Sequence, residues 1–316
     1  IDPDDVILPP PAAAARGLRG TMAFLRGSLA PDGASGYIMA FSSNRAGSLD
    51  PYVRGLTPGG PPSASYAQVS GDGTYSGGAQ IAPTPGGHVV VWRSEDSLGR
   101  TGTLLAAAIT GISLTVGPPV VVSPAAVDVG AFALVADGAN VAVAYQSLDV
   151  PFSEAAVVRL NPDASVSGGS IALTVSGTLS ESIGAALRGS NLAVLWVDNR
   201  FEASLHARTV DLTTGALGAQ VDLSMAGFAL ADVSLSLDGT SDYVAAFRDG
   251  SSGGSVAMLR LDSTLHIRDG VSTVGAAAPS GEVVRIASNG AGLYAVGWSD
   301  EAVASGHGSV QLMTCP

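Results

Sequence analysis

Residues 191–211, NLAVLWVDNRFEASLHARTVD, decide the fold. An apolar run ends in Trp196, a polar stretch follows from Val197 to Ala203, and a second apolar run leaves from Leu205. Five other stretches repeat the unit: YIMAF ends at Phe41, HVVVW at Trp92, VAVAY at Tyr145, YVAAF at Phe247 and YAVGW at Trp298. The run-ending aromatics are spaced by 51, 53, 51, 51 and 51 residues, so six units fill the 316 residues. A fixed period near 50, with strands and glycine turns in every unit, predicts an all-β, six-bladed β-propeller of four antiparallel strands per blade.

The marker strands are apolar throughout, not alternating, which is the pattern of a strand covered on both faces. Each is expected to be the second strand of its blade. First strands are expected at 20–25, 78–82, 131–136, 183–187, 233–237 and 283–287, and third strands at 52–56, 103–109, 155–160, 205–210, 256–261 and 310–313. Fourth strands follow at 65–70, 119–123, 170–175, 219–224 and 265–274. Hairpin turns carry Gly33, Gly86, Gly138, Gly189, Gly239 and Gly290, since glycine reaches positive φ without steric cost. The sixth repeat has no fourth strand of its own. The unassigned apolar segment before repeat one, Asp5-Val6-Ile7-Leu8, is expected to supply it and leave no bare edge. The chain then reads as one domain: 1–10 the outer strand of blade six, 11–17 a proline and alanine spacer, and blades at about 18–70, 71–123, 124–175, 176–224, 225–274 and 275–316.

Composition fits and excludes. Forty-one glycines, 18 prolines and 13% charged residues describe a chain of many turns and little helix. A net charge of −12 argues against nucleic acid, whose binding rests on clustered positive charge. No apolar run approaches the ~18 residues of a membrane-spanning helix, so no membrane insertion is expected. Cys315 is the single cysteine, which excludes a disulfide framework within the chain and leaves a thiol for an intermolecular contact.

Repeat one also contains Pro31-Asp32-Gly33, then Phe41-Ser42-Ser43-Asn44-Arg45 with Gly47, then Asp50 with Tyr52-Val53. This resembles the TolB-type, WD40-like repeat. Repeat four, with Trp196-Val197-Asp198-Asn199-Arg200, and repeat five, with Asp238-Gly239 and Tyr243 to Phe247, share parts of the pattern. The resemblance implies a secreted, periplasmic or outer-surface protein of a Gram-negative bacterium that binds partners through one face. Kelch repeats lack support here, because their glycine doublet is absent. Sialidases are set aside because their Ser-x-Asp-x-Gly-x-x-Trp box is missing.

Charge concentrates between second and third strands. The six connections at 42–50, 93–102, 146–154, 197–203, 248–254 and 299–308 hold 15 of the 42 charged residues in 52 positions, over twice an even share. That points to a polar rim, with Asn44, Arg45, Arg93, Asp96, Asp149, Asp198, Arg200, Arg248, Asp249 and Asp300 as candidate binding residues. The bland alternative is that charges belong on loops anyway, and that Asp198 with Arg200 and Asn44 with Arg45 simply tie loops to neighbouring blades. No catalytic residue is assigned. Gly250-Ser251-Ser252-Gly253-Gly254 has the spelling of a nucleophile elbow, but no helix follows it. His88 is placed in a second strand, His206 in a third, His266 in a fourth and His307 in a loop, with no metal-ligand spacing between any two. No metal and no cofactor are expected.

Three functions fit. The first is a non-catalytic binding or scaffold module that recognises a protein or glycan partner through the rim. The second is an envelope hydrolase or lyase acting on glycans through rim carboxylates, which glycosidases use in pairs. The third is a structural subunit of a surface assembly.

Overall fold

The computed structural model describes residues 28–43, 50–57, 66–70, 75–95, 102–111, 113–124, 127–148, 154–174, 180–198, 204–223, 230–239, 241–249, 255–276, 284–288, 293–300 and 307–314. All regular structure among them is β, arranged as successive antiparallel meanders: a six-bladed β-propeller. Blade one holds β1 (Ser28–Pro31), β2 (Tyr37–Ser43), β3 (Asp50–Leu56) and β4 (Tyr66–Gln68). Blade two holds β5 (Tyr75–Thr84), β6 (Gly87–Glu95) and β7 (Gly102–Thr110), with two short strands, β8 (Thr115–Val116) and β9 (Val120–Val121), both paired to β7. Blade three is β10 (Val129–Asp137), β11 (Asn140–Ser147), β12 (Glu154–Leu160) and β13 (Ile171–Ala172). Blade four is β14 (Ser180–Arg188), β15 (Asn191–Asp198), β16 (Ser204–Asp211) and β17 (Val221–Asp222). Blade five is β18 (Leu230–Asp238), β19 (Asp242–Asp249), β20 (Ser255–Leu261) and β21 (Ile267–Ala276). Blade six contributes β22 (Val284–Ser288), β23 (Leu293–Asp300) and β24 (His307–Thr314). The expected closing strand at residues 4–8 lies outside the described residues, as does Cys315.

The strand that pairs with the first marker strand is Ser28–Pro31, not the more apolar segment at 20–25, which lies outside the described residues. The turn explains the choice. Asp32 Oδ1 accepts from the backbone N–H groups of Ala34 and Gly36, folding the chain back so that Pro31 meets Tyr37. The other first strands fall where the sequence places them. Their turns are tight: Arg188 pairs with Asn191 across two residues, and Gly189 takes φ +56°. A Cβ there would meet nothing within 4 Å, so the constraint is backbone conformation, not space.

The second strands are buried on both faces, as β15 shows from Leu192 to Asp198. The chain divides into two compact units, residues 1–130, 134–143 and 157–170 in one and 131–133, 144–156 and 171–316 in the other. In the first, Ala40 and Val53 of blade one pack with Val90, Trp92 and Ile109 of blade two. In the second, Leu195, Val197, Leu205 and Ala207 of blade four pack with Tyr243, Ala245, Phe247 and Leu259 of blade five. The opposite face of blade five, through Val244, Ala246 and Met258, packs with Val284, Tyr294 and Val296 of blade six. Alternate residues of one strand thus serve two interfaces, which is why the runs carry no polar alternation.

First strands lack a backbone partner on one side, and side chains of the preceding blade supply it. Ser28 Oγ accepts from Ile81 N at 3.1 Å, Gln80 Oε1 from Leu134 N at 2.8 Å and Ser182 Oγ from Val233 N at 3.1 Å. Asp232 Oδ2 accepts from Val284 N at 2.6 Å, and Ser234 Oγ from Ile286 N at 3.2 Å. Each polar side chain lies 51 to 54 residues before its donor, one repeat away. Unpaired buried amides are costly, so the three serines, Gln80 and Asp232 are blade connectors.

A charged connector joins blades five and six at the short-turn end. Asp238 Oδ2 accepts from Arg260 Nε at 2.8 Å while its Oδ1 accepts from the Tyr294 hydroxyl at 2.7 Å. The Asp238 side chain is 5% exposed and that of Arg260 18%. Arg260→Ala leaves a buried carboxylate with one neutral donor. The expected cost is about 2 kcal/mol, below the ~3–5 kcal/mol of a fully buried pair because solvent reaches the guanidinium. Urea midpoints of the two proteins measure it, and an unchanged midpoint refutes it.

Four aspartates at the surface, Asp32 and Asp163 exposed and Asp211 and Asp262 half-buried, build turns and set an acid limit. The Asp32 carboxyl lies below its ordinary value because it accepts the backbone N–H groups of Ala34 and Gly36. Asp163 is lowered by the Ser165 hydroxyl and amide, Asp211 by the Thr213 amide, and Asp262 by the Thr264 hydroxyl, then the His266 and Thr264 amides. Folded values below the usual ~3.9 mean stability that is present above about pH 4 and lost as the pH falls through the lower folded values. Melting temperature should therefore drop below about pH 4. Asp262→Asn, which keeps the acceptor but not the charge, should flatten part of that drop. An identical acid limb in the variant rules the turn out as a contributor.

Candidate functional site

First-to-second turns are short in blades two to five, so in each of these blades the longer second-to-third connection leaves from the other end, where the second strand finishes. Four of the six second strands finish in a carboxylate: Glu95, Asp198, Asp249 and Asp300, with Ser43 and Ser147 in the other two. Ser43, Ser147, Asp198, Asp249 and Asp300 each lie two residues beyond their marker aromatic and are one position of the repeat, while Glu95 lies three residues beyond Trp92. Blade one places its acid on the facing strand, where Asp50 pairs in register with Ser43 and accepts from Gln68 Nε2 at 3.0 Å. Asp50 is fully buried, Asp198 is 6% exposed and Asp249 is 8% exposed. Buried carboxylates require partners, and all three have them.

Among the expected rim residues, Arg93, Asp198, Arg248 and Asp249 sit on described strand ends, and Asp300 closes β23. Asn44, Arg45, Asp96, Asp149, Arg200 and the segment 250–254 lie outside the described residues. Arg93 belongs to the fabric of the blades. Its Nε donates to the Val129 carbonyl, its Nη1 to Glu95, and its Nη2 lies 3.7 Å from Asp128. Gly102 is shaped to that role, because a Cβ there would strike the guanidinium. Arg248 is half-buried beside Asp249. On β19, Asp249 shares its face with Tyr243, Ala245 and Phe247, which pack on blade four.

Among the described residues, blade four holds a cluster of polar side chains at this strand end. Asp198 pairs with Ser204 across the β15–β16 hairpin, Trp196 pairs with His206, and His206 pairs with Asp222 on β17. The His206 Nε2 lies 3.0 Å from Ser204 Oγ and 4.0 Å from Asp198 Oδ2. Its Nδ1 lies 3.8 Å from Asp222 Oδ1 and 3.4 Å from Gln220 Nε2. The Trp196 ring tilts against the imidazole at 5.8 Å. Sequence reasoning passed over Ser204, Asp222 and Glu95. The Ser-x-His spacing on a strand was the available clue, since residues two apart share a face.

The other histidines correct two placements. His266 lies in the turn before β21, not in a fourth strand, because Asp262 Oδ1 accepts its backbone N–H and fixes the turn. His307 opens β24 opposite Asp300 rather than lying in a loop, since the hairpin ladder extends to it. His88 is in β6 as expected, with Nε2 2.7 Å from the Pro31 carbonyl.

No family model and no curated protein matches the chain. Solved structures do. A protein of unknown function from Dyadobacter fermentans is 7% identical over 95% of this chain and 99% of its own, with a TM-score of 0.70. A Hadza microbial sialidase is 11% identical over 94% of this chain and 68% of its own, at 0.66. An α-L-arabinofuranosidase from Fusarium graminearum, solved with an iminosugar inhibitor, is 9% identical over 92% and 93%, also at 0.66. At such identities the likeness is one of fold. It places the six blades beside sialidase and arabinofuranosidase propellers, not beside TolB-type proteins specifically. It also corrects the leading expectation of a non-catalytic binding or scaffold module: the neighbours of named activity act on glycans, which favours the second reading. The sialidase shares the six-bladed fold, although the Ser-x-Asp-x-Gly-x-x-Trp box is missing from this chain.

Proposed function

We propose that the chain is a glycoside hydrolase, secreted or held in a bacterial cell envelope, that cleaves a glycan with two of its strand-end carboxylates. The observation that carries this reading is the carboxylate recurring two residues beyond the marker aromatic in blades four, five and six, where the second strands end. Asp198 and Asp249 are the pair best supported, from neighbouring blades of one unit. Packed sheets lie about 10 Å apart, so equivalent acids on neighbouring blades have a spacing nearer the ~6.5–9.5 Å of inverting enzymes than the ~5–5.5 Å of retaining ones. One would protonate the leaving oxygen while the other activates a water on the opposite face of the sugar. The TolB-like turn motifs are then turn chemistry, and the partner is the glycan.

The test is to incubate the purified protein with sialylated, arabinan-type and other plant and bacterial glycans, following released sugar and its anomeric configuration by proton NMR. Release with inverted configuration is the expected result. Retention would move the assignment to a closer carboxylate pair, and no release from any glycan would overturn the reading.

A further inference from the structure

The polar row of blade four has the order of a nucleophile, a base and an orienting acid. Ser204 and His206 are two residues apart on β16 and so project from one face, and Asp222 is the register partner of His206 on β17. The Ser204 Oγ meets Nε2 at 3.0 Å, a hydrogen bond, while Asp222 lies on the Nδ1 side at 3.8 Å. We propose that Ser204, His206 and Asp222 hydrolyse short-chain carboxylic esters, the class to which O-acyl groups on sugars belong. That the ester is borne by a glycan rests on the function proposed above; the ester chemistry does not.

Three features converge on this reading. Hydroxyl at Nε2 and carboxylate at Nδ1 is the arrangement that lets an imidazole take a serine proton. With the proton on Nδ1, on the Asp222 side, the Gln220 amide 3.4 Å away presents its oxygen rather than its NH2, and the Nε2 lone pair faces Ser204; tautomer and amide orientation are assigned together from these neighbours. The 3.8 Å separation exceeds hydrogen-bonding distance, and catalytic contacts of this kind tighten when substrate binds. Ring position is fixed independently by Trp196, fully buried on one side of the imidazole. Asp198 Oδ2, 4.0 Å from Nε2, adds negative charge where the imidazolium forms. Ser204 itself is only half-buried, at the first residue of β16, immediately after a long connection.

The step balances without a further reactant. His206 Nε2 takes the Ser204 proton as Oγ bonds to the ester carbonyl carbon. The imidazolium returns that proton to the departing alcohol oxygen as the carbon–oxygen bond breaks, leaving an acyl-serine. Water then attacks the acyl carbon, giving one proton to His206, and the collapse releases the carboxylic acid and restores Ser204 with that proton.

The experiment treats the native protein with a fluorophosphonate, identifies the modified peptide by mass spectrometry, and follows p-nitrophenyl acetate turnover. One label per chain on Ser204 is expected, with labelling abolished in Ser204→Ala. His206→Gln should slow labelling about 10²-fold or more, the usual scale for a general base. Circular dichroism establishes that the variants are folded. Absence of label on Ser204 in the native protein overturns the proposal, as does labelling that proceeds unchanged in folded His206→Gln. Labelling does not depend on any glycan being cleaved, so the ester site and the glycosidase reading fail separately.

Discussion

Asp198→Asn and Asp249→Asn should each lower glycan hydrolysis by about 10²–10⁴-fold, the contribution of a positioned acid or base. The side chains are nearly isosteric, and both sit between packed sheets at 6% and 8% exposure, so the substitution removes the proton function while filling the same space. Members of a catalytic pair act as a unit. The double variant should therefore be little slower than the slower single variant, not slower by the product of the two losses. Added azide or formate tests which acid faces the water: a small anion should restore turnover to the variant lacking the base. Melting temperatures report the competing role, in which the carboxylates only tie blade ends. Full activity in both variants removes Asp198 and Asp249 from the chemistry, and a large loss of stability with proportionate loss of activity makes them connectors.

How much of this was legible follows from what repeats along the chain. The marker runs gave every described second strand, because burial on both faces demands an unbroken apolar run and because the repeat places one every 51 to 53 residues. First strands were harder. Ser28–Pro31 carries only two clear apolar residues and is picked out by the Asp32 turn, a hydrogen-bond pattern that a search for apolar segments does not weigh. The blade connectors escaped altogether. Ser182 and Asp232 look like polar interruptions until an amide of the next blade is found one repeat later. The candidate site divides the same way. Asp198, Asp249 and Asp300 were visible as loop-end acids, but Asp222 was not. Its place beside His206 depends on the register of a two-residue outer strand that pairs only His206 with Asp222 and Ala207 with Val221. Register of so short a strand leaves no periodic trace.

Trp196→Ala should cost about 3–5 kcal/mol, the range for a large aromatic leaving a cavity in a packed interior. Trp196 has no exposed surface, pairs with Ile183 on one side and His206 on the other, and so holds the middle of the three long strands of blade four. Its Nε1 finds no hydrogen-bond partner among the described residues. That sets a second expectation: Trp196→Phe keeps most of the ring volume and removes an unsatisfied buried donor, so its loss should be well under half that of alanine. Equilibrium urea unfolding separates the two, and equal losses would mean that the indole nitrogen is satisfied after all. The same residue ties packing to chemistry. With the indole gone, His206 loses the surface that fixes its ring, and fluorophosphonate labelling of Ser204 should slow in protein still folded below its new midpoint. Phenylalanine should preserve most of both properties. If labelling in Trp196→Ala instead matches the native rate, then the contacts with Ser204 and Gln220 alone hold the imidazole, and the aromatic serves only the core.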